Sequence, residues 1–249
     1  STLTRVSIAA PAKGLLVYDT TSNSFWYHNG TIWSEISQAD GLSWRTIGNS
    51  GTNPATNFIG TTDNVPLTFR VNNQKAGKID ANFQNTFLGV NAGANTIGSY
   101  NSVLGFEALL NNTDGYDNTA MGYWALRNNT IGGSNTAIGM EALMSNISGN
   151  NNVAIGAAAF SLGNNTGSNN TALGSYALRM NVNGNFNNAT GHGALELNIS
   201  GNYNTSSGFF ALRSNTLGSN NLAYGAEALR YSSTASRNIA FGNQALYTM

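Results

Sequence analysis

The sequence predicts an all-β protein, a parallel β-solenoid (β-roll) of about ten coils of 16–18 residues, preceded by small β-hairpin and meander modules. Three observations carry this expectation. A glycine recurs at Gly89, Gly105, Gly122, Gly139, Gly156, Gly174, Gly191, Gly208, Gly225 and Gly242, at intervals of 16, 17, 17, 17, 18, 17, 17, 17 and 17. Four residues before each stands an asparagine: Asn85, Asn101, Asn118, Asn135, Asn152, Asn170, Asn187, Asn204, Asn221 and Asn238. Three residues after each stands an alanine, from Ala92 to Ala245, and leucine follows it in eight of ten copies, the exceptions being Gly93 and Phe160.

Residues 1–45 read as a β-meander. Leu15-Leu16-Val17-Tyr18, Phe25-Trp26-Tyr27 and Ile32-Trp33 are strand-like, Thr21-Ser22-Asn23 marks a turn, and His28-Asn29-Gly30 is a hairpin signal. Its aromatics Tyr18, Phe25, Trp26, Tyr27 and Trp33 have two readings, a carbohydrate-binding platform and, more commonly for such clusters, a core or subunit contact. Residues 46–83 form a connector. The stretch 38–60 is a Gly/Ser/Asn/Thr-rich linker, and Thr61 to Asp80 holds a turn at Asp63-Asn64, a strand at Thr68-Phe69-Arg70-Val71, and Lys75 to Ile79.

Residues 84–249 are the repeat. A unit of about 17 residues is too short for helix–turn–helix repeats, which need about 34. Short Thr/Val/Ile runs punctuated by glycine fit β-structure, and each unit has room for two short strands and two turns. Coils paired about 4.8 Å apart give a rod of about 45–50 Å. Stacking turns each repeat position into a ladder of like residues. Asparagine suits a ladder because its amide both donates and accepts, whereas like charges would repel. Glycine provides the positive-φ turns a narrow coil requires, and alanine fits a thin interior. A second glycine column (Gly98, Gly115, Gly132, Gly149, Gly167, Gly184, Gly201, Gly218) and a second asparagine column (Asn95, Asn112, Asn129, Asn146, Asn164, Asn181, Asn198, Asn215) complete the unit. Two large apolar ladders remain, the leucines and the position before each marker glycine (Leu88, Leu104, Met121, Ile138, Ile155, Leu173, Tyr224, Phe241). One thin roll covers only one of them. Association of several rolls covers the other, and ladders parallel to an axis suit cyclic symmetry.

Charged residues make up 9% of the 249-residue chain and the formal net charge is zero, which argues against nucleic acid and anionic membranes as partners. No cysteine occurs, so there is no disulfide or thiolate metal site, and two histidines, His28 and His192, rule out a histidine-rich one. No apolar run reaches the roughly 18 residues that span a bilayer. Glu107, Glu141 and Glu227 share one repeat position, and Arg127, Arg179, Arg213 and Arg230 another, so they read as ion pairs along one face, not as a catalytic cleft. Asp114 and Asp117 read as a solvated turn in preference to a calcium site, and His192 as an exposed variant. Val153, Asn188, Leu222 and Ile239 interrupt the threonine column, which argues against ice binding. No catalytic residue and no cofactor is expected.

The run Asn135-Thr136-Ala137-Ile138-Gly139 and its copies resemble the head repeats of YadA-type trimeric autotransporter adhesins, whose chains form left-handed parallel β-rolls packed in threes. The wording is also similar to tail-fibre and bacterial surface proteins that carry long runs of such repeats and often end in an endosialidase-type chaperone. Here the tenth Ala-Leu unit lies next to Met249, so further protein or a removed chaperone is expected beyond it. The resemblance implies a homotrimeric structural or adhesive fibre, displayed extracellularly on a cell surface. The alternative is a receptor-binding tail-fibre component of a phage or contractile injection system. The implied partners are two further copies of the chain and a cell-surface glycan or host receptor, without membrane insertion.

Overall fold

The computed structural model describes residues 7–36, 50–53 and 55–248. The linker expected over 38–60 and the end of the meander module lie largely outside these. Two compact units divide at Gly60/Thr61. All the regular structure among the described residues is β.

The first unit holds strands β1 (Leu16–Asp19), β2 (Ser24–His28) and β3 (Trp33–Ile36), paired antiparallel in the order β1-β2-β3. Both turns are closed by a side-chain acceptor. Asp19 Oδ1 takes the N–H of Thr21 at 2.9 Å, and Asn29 Oδ1 those of Thr31 and Ile32, each at 2.9 Å. The register Leu16–Tyr27–Ser34 and Tyr18–Phe25–Ile36 then fixes the faces, because side chains alternate along a strand. Leu16, Tyr18, Phe25, Tyr27 and Ile36 share one face, and all five are exposed. Val17, Asp19, Trp26, His28 and Trp33 lie on the other, where Asp19 and His28 are buried.

The second unit is one 12-stranded sheet. A hairpin of β4 (Leu67–Val71) and β5 (Gln74–Asp80) turns through Asn72-Asn73, both at positive φ (47° and 57°), as a tight two-residue hairpin requires. β5 pairs antiparallel with β6 (Asn85–Leu88). From there every pairing is parallel and in register, through β7 (Ser102–Leu104), β8 (Thr119–Met121), β9 (Thr136–Ile138), β10 (Val153–Ile155), β11 (Thr171–Leu173), β12 (Asn188–Thr190), β13 (Thr205–Ser207), β14 (Leu222–Tyr224) and β15 (Ile239–Phe241). This is the expected β-solenoid.

Each coil carries one strand of three or four residues, not two. The rest is turn, bent by three left-handed residues per coil, such as Asp117, Trp124 and Leu126 at φ 52°, 60° and 52°. Leucine in that conformation costs about 1–2 kcal/mol. Full burial of the side chain returns about 1.5–3 kcal/mol, and Leu109, Leu126, Leu143, Leu178, Leu195, Leu212 and Leu229 are all buried completely. The core is this leucine ladder between two alanine columns, one from the strands (Ala120, Ala137, Ala154) and one after the marker glycines (Ala125, Ala142, Ala159). Gly93, in the leucine column, has a reason. Phe87 replaces the strand alanine of that coil, and a Cβ on Gly93 would sit 2.7 Å from its Cζ. Phe160 belongs to the 18-residue coil between Gly156 and Gly174.

The two glycine columns serve different needs. The marker glycines take φ of 114–142°, closed to other residues. The second column was expected to do the same, yet no glycine in it has positive φ. There the constraint is space. A Cβ on Gly132 would lie 2.5 Å from each of Asn129 Oδ1, Asn146 Nδ2 and Gly149 O. Gly132→Ala is expected to destabilise the chain by about 1–3 kcal/mol or more, read as a lower midpoint in denaturant unfolding with an unchanged slope.

Candidate functional site

Inside the coils the polar chemistry is structural. Each asparagine of the first column is an internal staple. Asn135 Oδ1 accepts the N–H of Asn152 at 3.0 Å, while its Nδ2 donates to Gly149 O at 2.9 Å and to Asn118 Oδ1 at 3.2 Å. The backbone N–H bond to the preceding asparagine recurs at every step from Asn85 to Asn238, at 2.7–3.1 Å. Except at Asn238, these side chains are buried.

The second asparagine column forms its own ladder, Asn129 Nδ2 to Asn112 Oδ1 and Asn146 Nδ2 to Asn129 Oδ1, both at 2.6 Å. Two of the positions expected for it differ. Asn95 is exposed, and Asn164 gives way to Asn165, which bridges to Asn146 because the 18-residue coil inserts one residue ahead of it. Asn165 Nδ2 turns to Phe160 O at 2.9 Å, so Asn146 Oδ1 and Asn165 Oδ1 are left without a partner. The ladder resumes at Asn198 to Asn181. The first column passes this fault intact.

Outside, the expected charged column resolves into pairs. Arg127 Nε lies 2.9 Å from Glu107 Oε2, which also accepts from Trp124 Nε1 at 3.0 Å. Arg230 pairs with Glu227 inside one coil, and Gln244 Nε2 reaches Glu227 Oε2 at 2.8 Å. Arg179 and Arg213 meet Glu196, at 3.8 and 2.6 Å. Glu196 was missed in the sequence because it occupies the arginine position of its coil; that placement was the available signal. Glu141 is half-buried and makes no ion pair among the described residues. His192 stacks on Phe209 at 5.6 Å and meets Tyr176 edge-on at 5.5 Å. Phe106, Tyr123 and Trp124 form a second ring stack.

Asp114 and Asp117 are both exposed and line a groove with Phe83, Ile97, Tyr100, Tyr116 and Ile131. Among the described residues no three His, Cys, Asp or Glu side chains group as metal ligands do.

At the start of the stack, Asp80 Oδ2 lies 2.5 Å from Lys78 Nζ, and its Oδ1 takes the N–H of Asn82 at 3.1 Å and of Phe83 at 3.4 Å. Burial pushes this carboxyl up, but the Lys78 ammonium and the two N–H groups outweigh it and hold it below its ordinary value. Burial likewise lowers Lys75, whose Nζ donates to Gly93 O at 3.2 Å over the Phe87 ring.

Residues 1–56 match the family model described as the phage tail like trimerisation region. No curated protein and no solved structure matches the chain. The tail-like region, followed by a solenoid, fits a tail-fibre-like trimeric protein. No helix among the described residues is long and apolar enough to cross a membrane.

Two outcomes follow. Asn135→Ala strands the Asn152 N–H in the interior and leaves Gly149 O with Asn146 Nδ2 as its one amide side-chain donor; it is expected to cost about 1–3 kcal/mol, measured by chemical denaturation, and Asn164→Ala is expected to be nearly neutral. Because the Asp80 carboxyl is depressed, its contribution is present above the unfolded value of about 3.9 and is lost as pH falls through the folded value. Unfolding followed from pH 6 down to about pH 2 is expected to show a shallower acid loss in Asp80→Asn than in the parent.

Proposed function

We propose that this chain is one subunit of a homotrimeric fibre, a structural protein that carries an attachment surface and catalyses no reaction. The observation that carries this reading is the open meander face. Leu16, Tyr18, Phe25, Tyr27 and Ile36 are 39–54% exposed on one side of a three-stranded sheet, within the stretch that matches a trimerisation region. A small sheet with one bare apolar face is incomplete as a monomer. Packing the same face from three copies around an axis supplies its missing layer.

The solenoid supports the same assembly independently. On each strand the central residue, alanine in most coils, points in and its neighbours point out. Leu88, Leu104, Met121, Ile155, Leu173, Tyr224 and Phe241 are therefore exposed along one line. Beside the first three runs a shallow groove of about 350 Å³, flanked by Thr86, Ser102 and Thr119. This line and the buried leucine ladder are the two apolar ladders the repeat generates, and only one of them is covered within the chain.

The tail-like match supports a phage or injection-system tail as the setting, with the stack presenting receptor-binding surface. A bacterial surface filament would use the same stack. Immunolabelling of particles against cell surfaces separates the two settings.

Light scattering coupled to size exclusion is expected to give three times the chain mass of 26.2 kDa. Phe25→Asp and Leu104→Asp, each placing a charge on one of the two faces, are expected to lower that mass while the β-sheet circular dichroism persists. A parent chain that elutes as a compact monomer of 26.2 kDa would sink the proposal.

A further inference from the structure

Many of the exposed rings and charges of the solenoid are matched by a neighbour one coil away. Phe186 stacks on Tyr203 at 4.9 Å and 4°, Phe106 on Tyr123 at 5.6 Å and 9°, and the Glu107 and Glu196 carboxylates hold arginines. One region departs from this pattern. The groove of about 480 Å³ across the first coils is lined by Phe83, Ile97, Tyr100, Tyr116, Ile131 and the two aspartates, Asp114 and Asp117. Neither carboxylate has a hydrogen bond or ion pair among the described residues, and no cation lies in the groove lining.

The rings are held as open surfaces. Gly133 stands where Tyr116, Asn150, Asn185 and Asn202 stand in other coils, and a Cβ there would meet the Tyr116 ring at 2.9 Å. The missing side chain lets that ring lie against the next coil, while half of the residue stays exposed. Tyr100 sits at φ 63°, a conformation that suits Asn or Asp better than an aromatic residue. Phe186 and Tyr203 occupy the same left-handed column, but each has the other's ring against it. Tyr100 has no ring neighbour among the described residues and is 53% exposed. An unstacked ring beside two uncompensated like charges in one groove marks a site held for something outside the chain.

We propose that this groove binds a neutral saccharide. Tyr100, Tyr116 and Phe83 offer apolar surface for the C–H face of a pyranose. The Asp114 and Asp117 carboxylates, acceptors only, take hydrogen bonds from vicinal hydroxyls, which are charge-assisted and directional. Two unpaired carboxylates disfavour sialylated, sulfated or phosphorylated sugars. An open groove with a few convergent polar groups in an apolar lining fits a sugar. The proposal deepens the attachment role given above but rests on one chain's own surface, so it is tested separately from the assembly.

The full chain is applied to a printed panel of neutral and anionic oligosaccharides, and the strongest neutral binder is then titrated calorimetrically. Selective binding of neutral glycans is expected. Tyr116→Ala and the double variant Asp114→Asn/Asp117→Asn are each expected to weaken it at least about tenfold. Asparagine keeps shape and tolerates the left-handed φ of 52° at Asp117, so folding is preserved. Tyr203→Ala, on the stacked pair farther along, is expected to leave binding unchanged. No neutral binder, preference for anionic glycans, or equal loss in Tyr203→Ala overturns the proposal. A change in light-scattering mass in the groove variants also overturns it, since the groove would then be a subunit contact. A monomeric parent that still binds through Tyr116 would remove the trimer and leave the site standing.

Discussion

Everything in the repeat follows from how closely one coil lies on the next. Where a side chain would begin at Gly105, Gly122 or Gly208, the carbonyl oxygen of the following coil's glycine already stands 2.3–2.4 Å away. Neighbouring strands are held about 4.8 Å apart by their hydrogen bonds, and at these two turns of the coil no Cβ fits in that gap. The glycine columns are therefore set by the pitch of the stack. Once they are fixed, the positions whose groups bond to the neighbouring coils recur, because a residue that changes the path of one coil loses its bonds to the coils on both sides.

That pitch explains what fills the interior. A coil this narrow leaves room for one large side chain, and the leucine reaches it from a left-handed backbone that only complete burial compensates. Where the strand alanine becomes Phe87, the leucine becomes Gly93, so volume is conserved within the coil. The asparagines solve the remaining problem, the buried backbone groups at the corners. Each carbonyl of the second glycine column can take two amide donors, as Gly149 O does from Asn135 and Asn146 at 2.9 and 3.0 Å. Removing Asn135 would leave that carbonyl one donor but strand the Asn152 N–H of the next coil.

Much of this was legible because a ladder writes itself into the sequence as a period. The marker glycines, the asparagines four residues earlier and the buried alanine and leucine follow directly from a 17-residue spacing. What the period could not give was the path of the chain within it. Trp124 and Leu126 ordinarily avoid the left-handed region, so their types gave no sign of the left-handed bends or of a single strand, and at the third position Asp117 stands where other coils carry Tyr100 or Phe186. The displacement from Asn164 to Asn165 was hidden for a related reason. An 18-residue coil shows that one residue is extra, and adjacent asparagines conceal on which side of the column it falls. Glu196 escaped because repeat reading looks for sameness, and an ion-pair ladder works by alternation.

Alternation is how the outer surface tolerates charge at all. Arg179, Glu196 and Arg213 follow one another in a single column, so each contact along it is attractive, and Arg230 finds Glu227 within its own coil. Aromatic columns are handled similarly, by stacking successive rings. These devices leave little free chemistry on the stack, which is why composition alone looks inert. The first coils differ in kind. There the chain places Asp114 and Asp117 with no arginine to answer them, and a tyrosine in a left-handed position with no ring beside it. Since the same repeat supplies both remedies elsewhere, their absence at this groove is a property of the site and not a limit of the fold.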